Sequence, residues 1–142
     1  MDRNTIKITV TVILVNLSIG NGILFLGGLN SFNEDVNYPL MIGMSVACIV
    51  FYILFFRYSK FENYNTFKLI LTSVLSCMTI LFIGNSLALM FKEPISEVID
   101  NLPAAIFMGM MGIMIFFPVS LILGLLNFSI ITYLKRRKTN EN

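Results

Sequence analysis

The residues with chemistry to offer are few. Four asparagines, Asn16, Asn21, Asn85 and Asn127, lie inside long apolar runs, as do both cysteines, Cys48 and Cys77. An amide donates and accepts hydrogen bonds but is no general acid or base. The chain has no histidine, which removes His general bases and His-held metals. Serine nucleophiles therefore lack a base. No carboxylate lies within the apolar runs to serve proton-coupled export or intramembrane proteolysis. The cysteines lack the paired arrangement of a thiol oxidoreductase, a zinc site or a disulfide framework, and a thiol in such a run is expected to act as a small hydrophobe. The inventory predicts no enzyme, no metal and no cofactor.

Short motifs add little. Gly27-Gly28-Leu29-Asn30 lacks the Lys-Ser/Thr of a phosphate loop. Asn16-Leu17-Ser18 and Asn127-Phe128-Ser129 match a glycosylation pattern but fall inside apolar runs, so they read as chance. Glu93, Glu97 and Asp100 are expected to form a solvated loop rather than a cation site.

The elements that hold these residues follow from the solvent they need. Of the 142 residues 56% are hydrophobic and 13% charged, against about a quarter charged in soluble domains. Mean hydropathy is +0.82. A helix apolar on all sides belongs in lipid. Four runs predict an all-α integral membrane protein, a four-helix bundle of one domain, with spans near residues 6–29, 39–56, 69–91 and 104–134. None of the runs contains Asp, Glu, Arg or an internal Lys beyond Lys7 at the first turn. The first run is longer than a signal peptide's apolar core and lacks a small-residue cleavage pattern, so it reads as a retained helix. The fourth exceeds a bilayer about 30 Å thick at about 1.5 Å per residue, and is expected to tilt, protrude or kink at Pro118.

Charge sets the predicted orientation. Arg3 and Lys7, then Arg57, Lys60 and Lys68, then the tail at 135–142 with Lys135, Arg136, Arg137 and Lys138 all fall on one side. The other side has Lys92 among Glu34, Asp35, Glu93, Glu97 and Asp100. Positive residues mark cytoplasmic segments, so both termini are expected inside, with the basic tail as an anchor. The net charge of +2 predicts no nucleic-acid partner. Composition rich in Asn and Ile, without Trp, suggests a bacterial plasma membrane.

A duplication is also legible. Ile19-Gly20-Asn21 recurs as Ile83-Gly84-Asn85, 64 positions on, and the same offset aligns Asn37 with Asn101 and Pro39 with Pro103. Residues 6–56 and 69–134 thus read as two copies of a helical hairpin, parallel and related by an axis along the membrane normal. The second half, Asn101-Leu102-Pro103, a helix carrying Phe117-Pro118-Val119-Ser120, then Lys135-Arg136-Arg137, resembles uncharacterised bacterial membrane proteins built from tandem two-helix units. That resemblance implies the hairpin architecture and carries no site residues. Helix two has no proline matching Pro118.

Two readings of the polar residues stand. In the first, Gly20, Gly43, Ala47, Gly84, Gly109, Gly112 and Ser120 are packing positions, and the asparagines bond across helix seams. In the second, Asn21 and Asn85 line a polar path or ligand pocket. The first suits a membrane module that binds or regulates another membrane protein or itself, including neutralisation of a membrane-targeted toxin. The second suits a small channel or transporter. The predicted orientation has a direct check: alkaline phosphatase fused after Asn142 should be inactive in cells, and a fluorescent protein fused there should fluoresce. The opposite pair of results would invert the topology.

Overall fold

The computed structural model describes residues 3–29, 36–92 and 99–140, and of residues 28 and 137–140 the backbone alone. Asp2, Glu34, Asp35, Glu93 and Glu97 therefore lie outside the described residues, as do the side chains of Arg137 and Lys138. Among the described residues the chain is four helices: α1 (Arg3–Leu29), α2 (Tyr38–Tyr58), α3 (Thr66–Lys92) and α4 (Leu102–Asn140), with a short 3-10 turn at Phe61–Asn63. All four are long and apolar enough to cross a membrane.

The helices outrun the apolar segments because local bonds continue past them. Asn65 Oδ1 accepts from the Lys68 amide at 2.8 Å, so α3 starts at Thr66 rather than near residue 69. Asn37 Oδ1 accepts from the Leu40 amide at 3.2 Å, and Pro39 sits in the first turn of α2, where its missing N–H has no helical partner to lose. The Asn37 carbonyl also accepts from Met41, as that of Asn101 does from Ala105. The tail is not separate from the fourth span. Its backbone stays helical through Asn140, so α4 is about 58 Å long at 1.5 Å per residue. It runs through Pro118.

Polar and apolar residues are distributed inside out. Leu14, Ile122, Ile115 and Met114 are 58%, 68%, 64% and 73% exposed, while Asn127 and Ser120 are 1% exposed. A surface of this kind suits lipid, where each interior polar group needs an internal partner. Many hydroxyls find one by bonding back one turn: Thr9 to the Thr5 carbonyl, Thr72 to Lys68, Ser76 to Thr72 and Thr79 to Leu75.

Small residues set the closest approaches. A Cβ on Gly43 would stand 2.6 Å from the Gly84 carbonyl oxygen and 3.0 Å from the Ala88 nitrogen. Ala47, one turn along, is also buried. On the other side of α3, a Cβ on Gly109 would stand 2.7 Å from the Phe82 ring, and one on Gly124 would stand 2.7 Å from the Val74 Cα. These contacts join α2 to α3 and α3 to α4 as antiparallel neighbours. Helix α1 lies against α2 and α4 but less intimately. Among the described residues, no atom outside the local helix lies within 4 Å of a Cβ built on Gly20, Gly22 or Gly27. Gly20 therefore supports no close approach here, because α1 stands off from its neighbours at that level.

The bundle end that carries both termini is plugged by aromatics. Phe61, from the 3-10 turn, meets Phe56 edge-on at 5.0 Å, over a core that includes Ile8, Val12, Leu69 and Ile131. Lys135 on α4 donates to the Glu62 carbonyl and ties the turn down. The glycine contrast is measurable. Gly43→Val should cost about 1–3 kcal/mol by overpacking, whereas Gly20→Ala should be neutral or stabilising, both read by thermal unfolding in detergent.

Candidate functional site

Each helix contributes one polar side chain to a buried cluster near the middle of the bundle. Asn16 comes from α1, Tyr52 from α2, Cys77 from α3 and Asn127 from α4. The two amides pair face to face: Asn16 Nδ2 donates to Asn127 Oδ1 at 2.7 Å, and Asn127 Nδ2 donates back to Asn16 Oδ1 at 3.2 Å. Asn127 Nδ2 also donates to the Tyr52 hydroxyl at 2.7 Å and lies 3.3 Å from Cys77 Sγ. The Tyr52 hydroxyl stands 3.8 Å from the same sulfur. Asn16 Nδ2 donates in addition to the Val12 carbonyl at 2.7 Å. Every polar atom of the two amides is thus engaged within the protein. Asn127, at 1% exposure, sits at the hub.

Helix periodicity explains the convergence. On α1, Thr9 and Asn16 are seven residues apart and share a face at about 100° per residue; both are buried. On α4, Gly109, Gly112, Ser120, Gly124 and Asn127 fall on the buried face. Ser73, Ser76, Cys77 and Gly84 do so on α3. Tyr52 was not among the residues singled out in the sequence, nor was Gly124. A signal for Tyr52 existed: tyrosines favour membrane interfaces, and this one lies within the apolar run of α2, where its hydroxyl must find a partner.

A cavity of about 60 Å³ opens on the side of the cluster away from the termini. Its wall is mostly apolar, from residues such as Leu17, Leu24, Met44 and Leu123; Asn16, Asn21, Ser45, Cys48, Cys77 and Ser120 also border it, and Gly20 lies on its α1 side. Asn21 Nδ2 donates to Ser45 Oγ at 3.0 Å, and Ser45 Oγ donates to the Met41 carbonyl at 2.7 Å. An adjoining hollow of about 40 Å³ shares Gly20, Leu24 and Met44 with the first and has Asn85 on its wall. Asn85 donates to the Leu81 carbonyl of its own helix at 2.7 Å, and its amide rests where a Cβ on Gly112 would stand, 2.6 Å from Asn85 Cγ. Asn21 and Asn85 thus stand on neighbouring hollows with different partners. Ser120 Oγ donates to the Phe117 carbonyl at 2.8 Å, in the turn that holds Pro118.

These groups are uncharged, and their bonds run largely within the protein, so both hollows present mainly apolar surface. Pockets for drug-sized ligands run to about 300 Å³ or more, while a water needs about 10–15 Å³ of such space. Both cysteines are free and buried. Among the described residues no three His, Cys, Asp or Glu gather as metal ligands. Lys135 and Arg136 lie at the far end of α4, away from this cluster. No protein-family model matches the chain, and no curated protein or solved structure matches it.

The amide pair sets an expectation for stability. Asn127→Ala strands the Asn16 amide and the Tyr52 hydroxyl together. It should cost about 1–2 kcal/mol in detergent or lipid. A double-mutant cycle with Asn16→Ala should give a coupling of about 1.5 kcal/mol, the upper end for interhelical bonds in membranes. Additive losses in the cycle would mean that the pair does not act as a unit.

Proposed function

We propose that the chain is a non-enzymatic, multi-pass module of the bacterial plasma membrane, with both termini cytoplasmic, that binds and regulates another membrane protein. Immunity-type neutralisation of a membrane-targeted toxin belongs to this class. The observation that carries the reading is the far half of α1. There Gly22, which lies about 160° round α1 from the cavity-lining Gly20, has no described atom outside the local helix within 4 Å of a built Cβ, although small residues in membrane helices ordinarily serve close helix approach. A partner helix, or α1 of a second copy, would supply the missing neighbour. The enclosed polar cluster supports binding over conduction. On its terminal side the bundle is filled by Phe56, Phe61, Val12 and Ile131.

A second reading, a small channel or transporter, is favoured by one observation: Asn21, Ser45 and Ser120 share a cavity wall. The two readings separate experimentally. Tagged wild-type protein should retain a membrane partner or a second copy in mild detergent. Gly22→Leu should lose it without lowering the thermal midpoint. If the wild type holds no partner above background, or Gly22→Leu holds it equally, the binding reading fails. Asn21→Leu with Asn85→Leu should leave ion and solute flux unchanged; a changed flux in a folded variant would favour transport.

A further inference from the structure

The end of the bundle that carries the termini holds a larger hollow, of about 300 Å³, unlike the small interior cavity. Its floor is apolar: Phe56 and Phe61, each 3% exposed. Arg57, Ser59, Lys60 and Glu62 form its rim, with Thr5 of α1 opposite. Arg57 and Lys60 outweigh Glu62, so the lining is net positive. Arg57 lies 5.7 Å over the Tyr58 ring, a contact of the guanidinium face that does not use its N–H edges. Lys68 lies over the Tyr64 ring at 4.2 Å, and Lys135 donates to the Glu62 carbonyl. The Ser59 hydroxyl is buried and makes no hydrogen bond to the described residues.

Depth gives the hollow its chemistry. Arg57 is the first charge after the apolar stretch of α2. In a bilayer that position is the boundary between hydrocarbon and headgroups, where basic side chains meet lipid phosphate. We infer that this hollow is a binding site for the phosphate headgroup of an anionic phospholipid. Arg57 and Lys60 hold the phosphate, Ser59 turns its hydroxyl to donate to it, and Phe56 and Phe61 lie beneath the glycerol and first methylenes. The inference rests on the membrane reading above. It differs from a diffuse attraction of lipid to the basic tail, because it names a cavity and two cations.

The test uses the full chain, purified in detergent and exchanged against phosphatidylglycerol or phosphatidylcholine, with bound lipid read by native mass spectrometry. Wild type should retain phosphatidylglycerol over phosphatidylcholine by about thirtyfold, as expected for two interfacial cations. Arg57→Gln with Lys60→Gln should abolish that preference, and both residues are exposed, so the fold should tolerate it. Arg136→Gln, at the same end but outside the hollow, should leave the preference intact. Equal retention of the two lipids by wild type overturns the site, whatever the variants do. So does an equal loss of preference with Arg136→Gln. Protection from unfolding by inorganic phosphate alone, with none by phosphatidylglycerol, overturns the lipid assignment. Failure of the membrane reading would show separately, as protein released into the soluble fraction without detergent.

Discussion

An amide in an apolar interior must bond to another polar group or bear the cost of going without. The reciprocal pair of Asn16 and Asn127 meets that demand, and the position of α1 depends on it. Lipid tails are as apolar as leucine, so no hydrophobic force gathers helices within a bilayer. Helices α2, α3 and α4 have close backbone approaches to hold them. Helix α1 has no comparable glycine contact. Its attachment comes from Asn16 reaching Asn127, from Asn21 reaching Ser45, and from Ile8 and Val12 in the core.

Two modes of cohesion therefore divide the bundle. Where Gly43 meets Gly84, and Gly109 and Gly124 meet α3, dispersion over short distances does the holding. Where α1 joins, directional hydrogen bonds do it. Beyond Asn16 neither mode fills the space completely, and the cavity beside Asn21 and Ser45 is the result. Thus the cavity and the open space beside Gly20 and Gly27, on the same side of α1 as Asn16, share one origin. Both arise because α1 is tied at its middle and stands away from the bundle beyond it.

The terminal end is built differently. Phe51, Tyr52, Phe55 and Phe56 run along α2 in stacked and edge-on pairs, and Phe61 completes the series from the 3-10 turn. Tyr52 belongs to both systems, its ring in the aromatic series and its hydroxyl in the amide cluster. With a solid aromatic plug at one end and a hydrogen-bonded hub at mid-depth, the far half of α1 is the less closely packed part of the bundle.

Hydropathy and helix period were enough to place the four helices, because a helix long and apolar enough to cross a membrane needs a long unbroken apolar run whatever it packs against. The same period put Gly43 and Ala47 on one face of α2, Ser73, Ser76, Cys77 and Gly84 on one face of α3, and Asn16 in line with Thr9. Helix ends were less legible, since Asn65 extends α3 and the basic tail continues α4 through backbone bonds that hydropathy does not register. Pairing between helices could not be read at all. Asn16 and Asn127 are 111 residues apart in sequence, and an amide looks the same in the chain whether its partner is another amide, a serine or its own helix. Four asparagines alike in the sequence therefore took different roles: Asn16 and Asn127 in a pair, Asn21 on Ser45, Asn85 on the Leu81 carbonyl. Which of them faces a cavity depends on where two helices stand apart, and only the packing of all four decides that.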